Sequence, residues 1–205
     1  MSLVQQITAL IHAHSSLAGP LSFVVALLGC LVGTNLVVPA GAIMTAMGVL
    51  TGAGVISWSF GPWAACGAAL GMSASYTLGL RFGPRLQNIP LLRTRPGVIL
   101  RARTLFERYG FAAILIAYFS GPLRAPTASV AAISGMKREK FEAANIVSSL
   151  VWTPCAVGIG AIPGTMIEPN SLWLPIGLVL VPAVTVGISA AIMFLRARPV
   201  RWRWF

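Results

Sequence analysis

The side chain with the most chemistry in this sequence is Arg124, set in Phe119-Ser120-Gly121-Pro122-Leu123-Arg124-Ala125-Pro126. It is the one charged residue between Tyr109 and Met136, in a stretch that is otherwise apolar or small. An arginine at membrane depth costs about 2.5–3.5 kcal/mol on insertion scales, so such cations are usually paired or functional. Its planar fork fits a phosphate or a carboxylate. The alternative is a structural arginine that snorkels to the surface or binds a backbone carbonyl, and the residues alone leave both open. Asn35 and Pro39 interrupt a second apolar stretch upstream. There the asparagine serves equally well as a cap for a broken helix or as a polar ligand.

Other chemistries are excluded by what the chain lacks. Its four acids are all glutamates, Glu107, Glu139, Glu142 and Glu168, and it has no aspartate. A phosphoalcohol transferase needs clustered carboxylates to hold Mg²⁺. An intramembrane serine protease needs a base beside its nucleophile, yet both histidines, His12 and His14, stand near the start. The three cysteines, Cys30, Cys66 and Cys155, are odd in number and each lies in an apolar run. They read as small buried hydrophobes rather than a disulfide frame or metal ligands. The expectation is therefore a protein that is not an enzyme, with no catalytic residue, no metal and no cofactor.

The elements that position Arg124 belong in a bilayer. Of 205 residues 57% are hydrophobic and only 9% charged, against about 25% charged in soluble domains. Fifteen Lys and Arg give a net charge of +11. All of these cations but Arg124 are gathered at 81–108, 137–140 and 196–203, between long apolar runs. That is the positive-inside pattern of a polytopic membrane protein rather than a nucleic-acid footprint. No Lys or Arg precedes the first apolar stretch, so a signal peptide is not expected.

The spacing predicts an interfacial N-terminal segment over 1–18 and a first broken or re-entrant element over 19–58, interrupted near Asn35, Pro39 and Gly41. A span over 59–80 follows, with Gly67, Gly71 and Ser75 as a small-residue contact stripe. Residues 81–108 read as a basic cytoplasmic loop with an amphipathic helix from Val98 onward. If all three basic clusters are cytoplasmic, 109–136 is too short for two crossings and must be a second re-entrant hairpin turning at Ser120–Pro126. Spans over 141–162 and 172–195, and a basic cytoplasmic tail over 196–205, complete the chain. The predicted fold is a single all-α polytopic membrane domain. Two broken-helix hairpins stand in an inverted-repeat arrangement beside transmembrane helices, the plan of many secondary transporters.

The residues also resemble the DedA family, the SNARE-associated or VTT-domain membrane proteins, from about Leu36 to Gly160. Gly67-Ala-Ala-Leu-Gly71 with Tyr76, Gly79, Arg81, Phe82 and Gly83 is similar to that family's glycine-rich span and its Gly-Arg-Arg-x-Gly-like end. Phe106-Glu107-Arg108-Tyr109-Gly110 resembles its Phe-x-Arg-x-Gly opening of the second hairpin. Arg124 falls where the second hairpin arginine stands, and Met136, Phe141, Asn145 and Trp152 follow at the family's intervals. The chain departs from the pattern too. Tyr118 occupies the first arginine position, and Gly121-Pro122 reverses the usual Pro-Gly. Gly41 and Met72 stand where acids are usual.

The resemblance implies a transporter or scramblase for phospholipids or polyprenyl-phosphate lipids in a bacterial cytoplasmic membrane. On that reading Arg124, Tyr118, Asn35, Pro39 and Pro122 meet the lipid head group. The partners are membrane lipids with anionic head groups, not nucleic acid, with a homo-oligomer as an option. Because the family's acids are missing, the alternative is a non-transporting assembly or interaction protein that keeps the fold without its coupling residues.

Overall fold

In the computed structural model, residues 17–34, 37–87, 96–120, 124–168 and 173–196 are described. Asn35, Pro122, the N-terminal segment with His12 and His14, and the tail after Arg196 lie outside the described residues. The described backbone holds seven α-helices and no strand. They are α1 (Ala18–Cys30), α2 (Ala40–Gly52), α3 (Gly61–Gln87), α4 (Pro96–Phe119), α5 (Arg124–Ile133), α6 (Arg138–Gly164) and α7 (Trp173–Arg196).

Helix lengths separate two kinds of element. With 13 residues each, α1 and α2 reach about 20 Å at 1.5 Å per residue, short of a hydrocarbon core of about 30 Å. The ten residues of α5 reach still less. The helix α4 carries a break inside, because Tyr109 leaves helical geometry (φ −122°, ψ 16°). That kink separates its basic first part from the apolar part that ends at Phe119. By contrast, α3 and α6 have 27 residues each, about 40 Å. Among the described residues, α6 is the one helix both long and apolar enough to cross a membrane. The helix α3 is long as well, but glycine, serine and its C-terminal arginines lower its hydropathy. It runs on to Gln87, past the Leu80 boundary expected from sequence.

The two triplets α1–α2–α3 and α4–α5–α6 pack alike. In each, the first helix lies on the long third helix, α1 on α3 and α4 on α6. The second short helix crosses to the other triplet, α2 onto α6 and α5 onto α3. Glycine permits these close approaches. A Cβ added to Gly67 would collide with the carbonyl oxygen of Phe23, and one at Gly71 with that of Leu27, so both face α1. Across the other contact, Gly160 of α6 meets the carbonyl of Thr45 and Gly48 of α2 meets that of Val157. Gly79 of α3 lies against Ser129 of α5, where a Cβ would stand 2.6 Å from its Cα.

The core is mainly apolar but holds a buried polar set, and the exposed faces are apolar too. On α6, Asn145, Ser148, Ser149 and Thr153 are buried, while Ile146, Val147, Leu150, Val151, Ile159 and Ile162 are exposed. A soluble protein shows the reverse, and rarely leaves apolar patches wider than a few hundred Å² uncovered. In hydrocarbon the arrangement is favourable, because polar groups must find partners within the protein. The cysteines require a correction on this point. Cys30 is buried as expected, but Cys66 and Cys155 are exposed. Burial of an apolar residue cannot be read from sequence when the surroundings are as apolar as the core.

Candidate functional site

Both short-helix pairs break where they meet. The chain leaves α1 at Cys30, and Ser75 of α3 closes the exposed backbone. Its hydroxyl donates to the Cys30 carbonyl (2.8 Å) and accepts from the Val32 N–H (2.9 Å). On the other side of this break, Gly29 approaches Ala40 so closely that a Cβ there would strike the alanine methyl. Ser129 of α5 donates to the carbonyl of Ser75 (2.9 Å). Helix α5, which follows the second break, is thereby tied to the first break through one position of α3.

Arg124 opens α5 at this junction and is 3% exposed. Its Nη2 donates to the carbonyl of Gly29 at 3.3 Å, reaching the end of α1. The guanidinium carbon lies 4.3 Å from the ring centre of Trp152 on α6 and 5.6 Å from that of Tyr118 on α4. A desolvated cation over an aromatic face is worth about 2 kcal/mol. Nε and Nη1 are buried and have no hydrogen-bond partner, and none of the contacts just named is a carboxylate. One turn before Trp152, the buried hydroxyl of Ser148 is also unpartnered. Two charged donor nitrogens are thus left unpartnered, in surroundings where a bond to an anionic oxygen is strong.

From Tyr118 a polar chain leads outward between α3 and α6. The Tyr118 hydroxyl donates to Asn145 Oδ1 at 2.6 Å. Asn145 Nδ2 contacts the Ala69 carbonyl (2.9 Å), Ser73 Oγ (3.1 Å) and Glu142 Oε2 (3.3 Å). The Ser73 hydroxyl donates to the same carboxylate oxygen at 2.6 Å. The other oxygen of Glu142 stands 3.7 Å from Arg138 Nε. The acid that approaches the site is therefore Glu142, rather than Glu107 or Glu139, which flank the second hairpin more closely in sequence.

Among the residues singled out from sequence, Arg124 and Tyr118 are brought into contact. Pro39 is exposed at the start of α2, beside the Ala40 that meets Gly29. Asn35 and Pro122 lie outside the described residues. Sequence reasoning placed Asn145 and Trp152 only at the family's intervals and gave no site role to them, to Gly29 or to Glu142. A signal was present: Glu142, Asn145, Ser149 and Trp152 recur every three or four residues, one helical face.

Asn145 is the hub of the chain, so Asn145→Leu is expected to lower stability by about 2–3 kcal/mol, given up to roughly 1.7 kcal/mol per interhelical hydrogen bond in membranes. A thermal-melting series in detergent tests this, and an unchanged melting temperature would show that the network adds nothing to folding.

Comparison with known proteins follows this geometry. The VTT domain family matches residues 38–162. Protein DedA of Escherichia coli K12 is 27% identical over 133 residues, 63% of this chain and 60% of that protein. A protein of Mycobacterium tuberculosis named only as an uncharacterized membrane protein is 32% identical over 144 residues, 67% of this chain and 64% of its own. A similarly named protein of Buchnera aphidicola is 25% identical over 147 residues, 71% of this chain and 57% of its own. The chain thus spans 57–64% of the length of these relatives. No solved structure matches it.

Proposed function

The chain belongs to the VTT-domain, DedA-type family of membrane proteins, and from that premise we propose that it moves phosphate-bearing lipids across the bilayer of a bacterial cytoplasmic membrane. The substrates are phospholipids or polyprenyl-phosphate lipids, and Arg124 is the head-group contact. The observation that carries this reading is a buried guanidinium at the meeting of two chain breaks, with Nε and Nη1 unpartnered.

On this reading the short helices α1, α2 and α5 and the second part of α4 form two re-entrant elements that enter from opposite faces. Each stops short of a full crossing, so polar backbone meets near mid-depth and the apolar barrier is thinned. Stacking on Trp152 fixes the plane of the guanidinium, and the bond to Gly29 holds one edge. The unpartnered N–H groups would then donate to a phosphate oxygen once the junction opens to admit it. Partners are lipids, and no catalytic group is required.

The test is reconstitution of purified protein into vesicles that carry a fluorescent phospholipid in both leaflets. Addition of an impermeant quencher is expected to reach the inner-leaflet label only in vesicles holding protein, and a parallel assay uses labelled polyprenyl phosphate. An inner pool as well protected as in protein-free vesicles, for both lipids, would overturn the proposal.

A second reading is favoured by one specific observation. Arg124 contacts α1, α4 and α6 at once, as a structural strut does. In that case the chain is a non-transporting assembly protein that retains the fold, and the vesicle assay is negative for the wild type.

A further inference from the structure

A second feature lies away from Arg124, where α5 turns into α6. The turn is made by Gly135 in the left-handed region (φ 80°), and α6 begins with Lys137 as N-cap, without a side-chain cap. The first N–H groups of a helix have no intrahelical partner and attract anions. Beside this terminus is a cavity of about 480 Å³, open on one side, between the turn, the kinked part of α4 and the start of α6. Lys137 and Lys140 line it. Ser134 lines it too, 93% buried by its 7% exposure, with a hydroxyl that has no partner. A buried hydroxyl without a partner is uncommon in a folded protein and requires an explanation.

We propose that this cavity is a binding site for a phosphoester anion. Ser134 Oγ donates one hydrogen bond to a phosphate oxygen, the open amides of α6 supply more, and the two lysines supply charge. Glu107 also lines the cavity, which leaves a net lining charge near +1 and suits a singly charged phosphodiester better than a phosphate dianion. Phe106, Phe111 and Met136 form apolar walls, and Phe111 is exposed toward the outer surface of α4. That wall favours a phosphate carried on a lipid. The site does not depend on the Arg124 reading: it is built from other residues, at the basic end of the helices.

The experiment is native mass spectrometry of the purified full chain in detergent, titrated with phosphatidylglycerol and, separately, with inorganic phosphate as competitor. Ser134→Ala keeps the charge and shape of the turn and is expected to weaken lipid retention about 10-fold, the loss of one charge-assisted hydrogen bond. Lys137→Gln with Lys140→Gln is expected to weaken it further, whereas Arg81→Gln, at an exposed cation elsewhere, leaves it unchanged. Arg124→Ala is expected to keep the adduct that depends on Ser134 and the two lysines, whatever it loses at the junction of the breaks, which separates this site from the one above. Displacement by inorganic phosphate at equal concentration would support the anion site with a free phosphoester as its ligand; resistance to it supports a lipid. Retention of phosphatidylglycerol at the wild-type level by both the Ser134 and the double lysine variants would overturn the proposal.

Discussion

Arg124→Ala is expected to abolish lipid movement in reconstituted vesicles while leaving the amount of folded protein close to normal. The two parts have different physical origins. Removing the side chain loses a ring contact worth about 0.5–2 kcal/mol and one bond from a charged donor worth about 1.5–3 kcal/mol. It also removes a buried charge whose insertion costs about 2.5–3.5 kcal/mol. These terms nearly cancel, so folding changes little. Activity has no such offset, because the only cation at the junction of the breaks among the described residues is gone. Arg124→Lys keeps the charge but loses the planar stack on Trp152 and one free donor direction, so it is expected to move lipid more slowly than wild type. Both variants are to be compared at equal reconstituted protein. Wild-type rates from Arg124→Ala would reduce the arginine to a strut, with lipid movement carried by other groups; no movement by the wild type would leave the assembly reading standing.

Gly71→Leu is expected to cost about 3 kcal/mol or more and to remove most of the folded protein. A Cβ at this position strikes the carbonyl of Leu27 and stands 2.7 Å from the Cβ of Cys30. The obstacle is backbone, which cannot rotate away as a side chain can. To admit leucine, α1 must separate from α3, and Ser75 then loses its hold on Cys30 and Val32, four residues further along α3. Gly71→Ala is the graded control and is expected to lie between the two. Fluorescence-detected size exclusion after a temperature series reads the effect. A monodisperse Gly71→Leu protein with wild-type thermal resistance would show that the helices do not meet there.

The same glycines show what the sequence made legible. Small residues at positions 67, 71 and 75 fall on one helical face, and that periodicity identifies a contact without naming its partner. The isolated Arg124 stood out because nothing charged lies near it in the chain. Interruptions around Pro39 and Pro122 were visible because proline and glycine disturb helices by local rules. The polar chain was legible only in part. Glu142 and Asn145 recur on one helical face, but nothing in the sequence joins them to Tyr118 and Ser73 on two other helices. The inside and outside faces of the helices were equally hidden, as Cys66 and Cys155 illustrate. In a lipid-facing protein both faces are apolar, so hydrophobicity distinguishes neither.

The exchange of short helices between the two triplets also sets an order for assembly. Because α2 rests on α6 and α7, it emerges from the ribosome well before either surface exists. At about 5–20 residues per second, the roughly 100 intervening residues take on the order of 5–20 s. Throughout that interval the glycine face of α2 has no protein to cover it. A chain cut before α6 leaves α2, too short to cross the bilayer, without the helix it packs against.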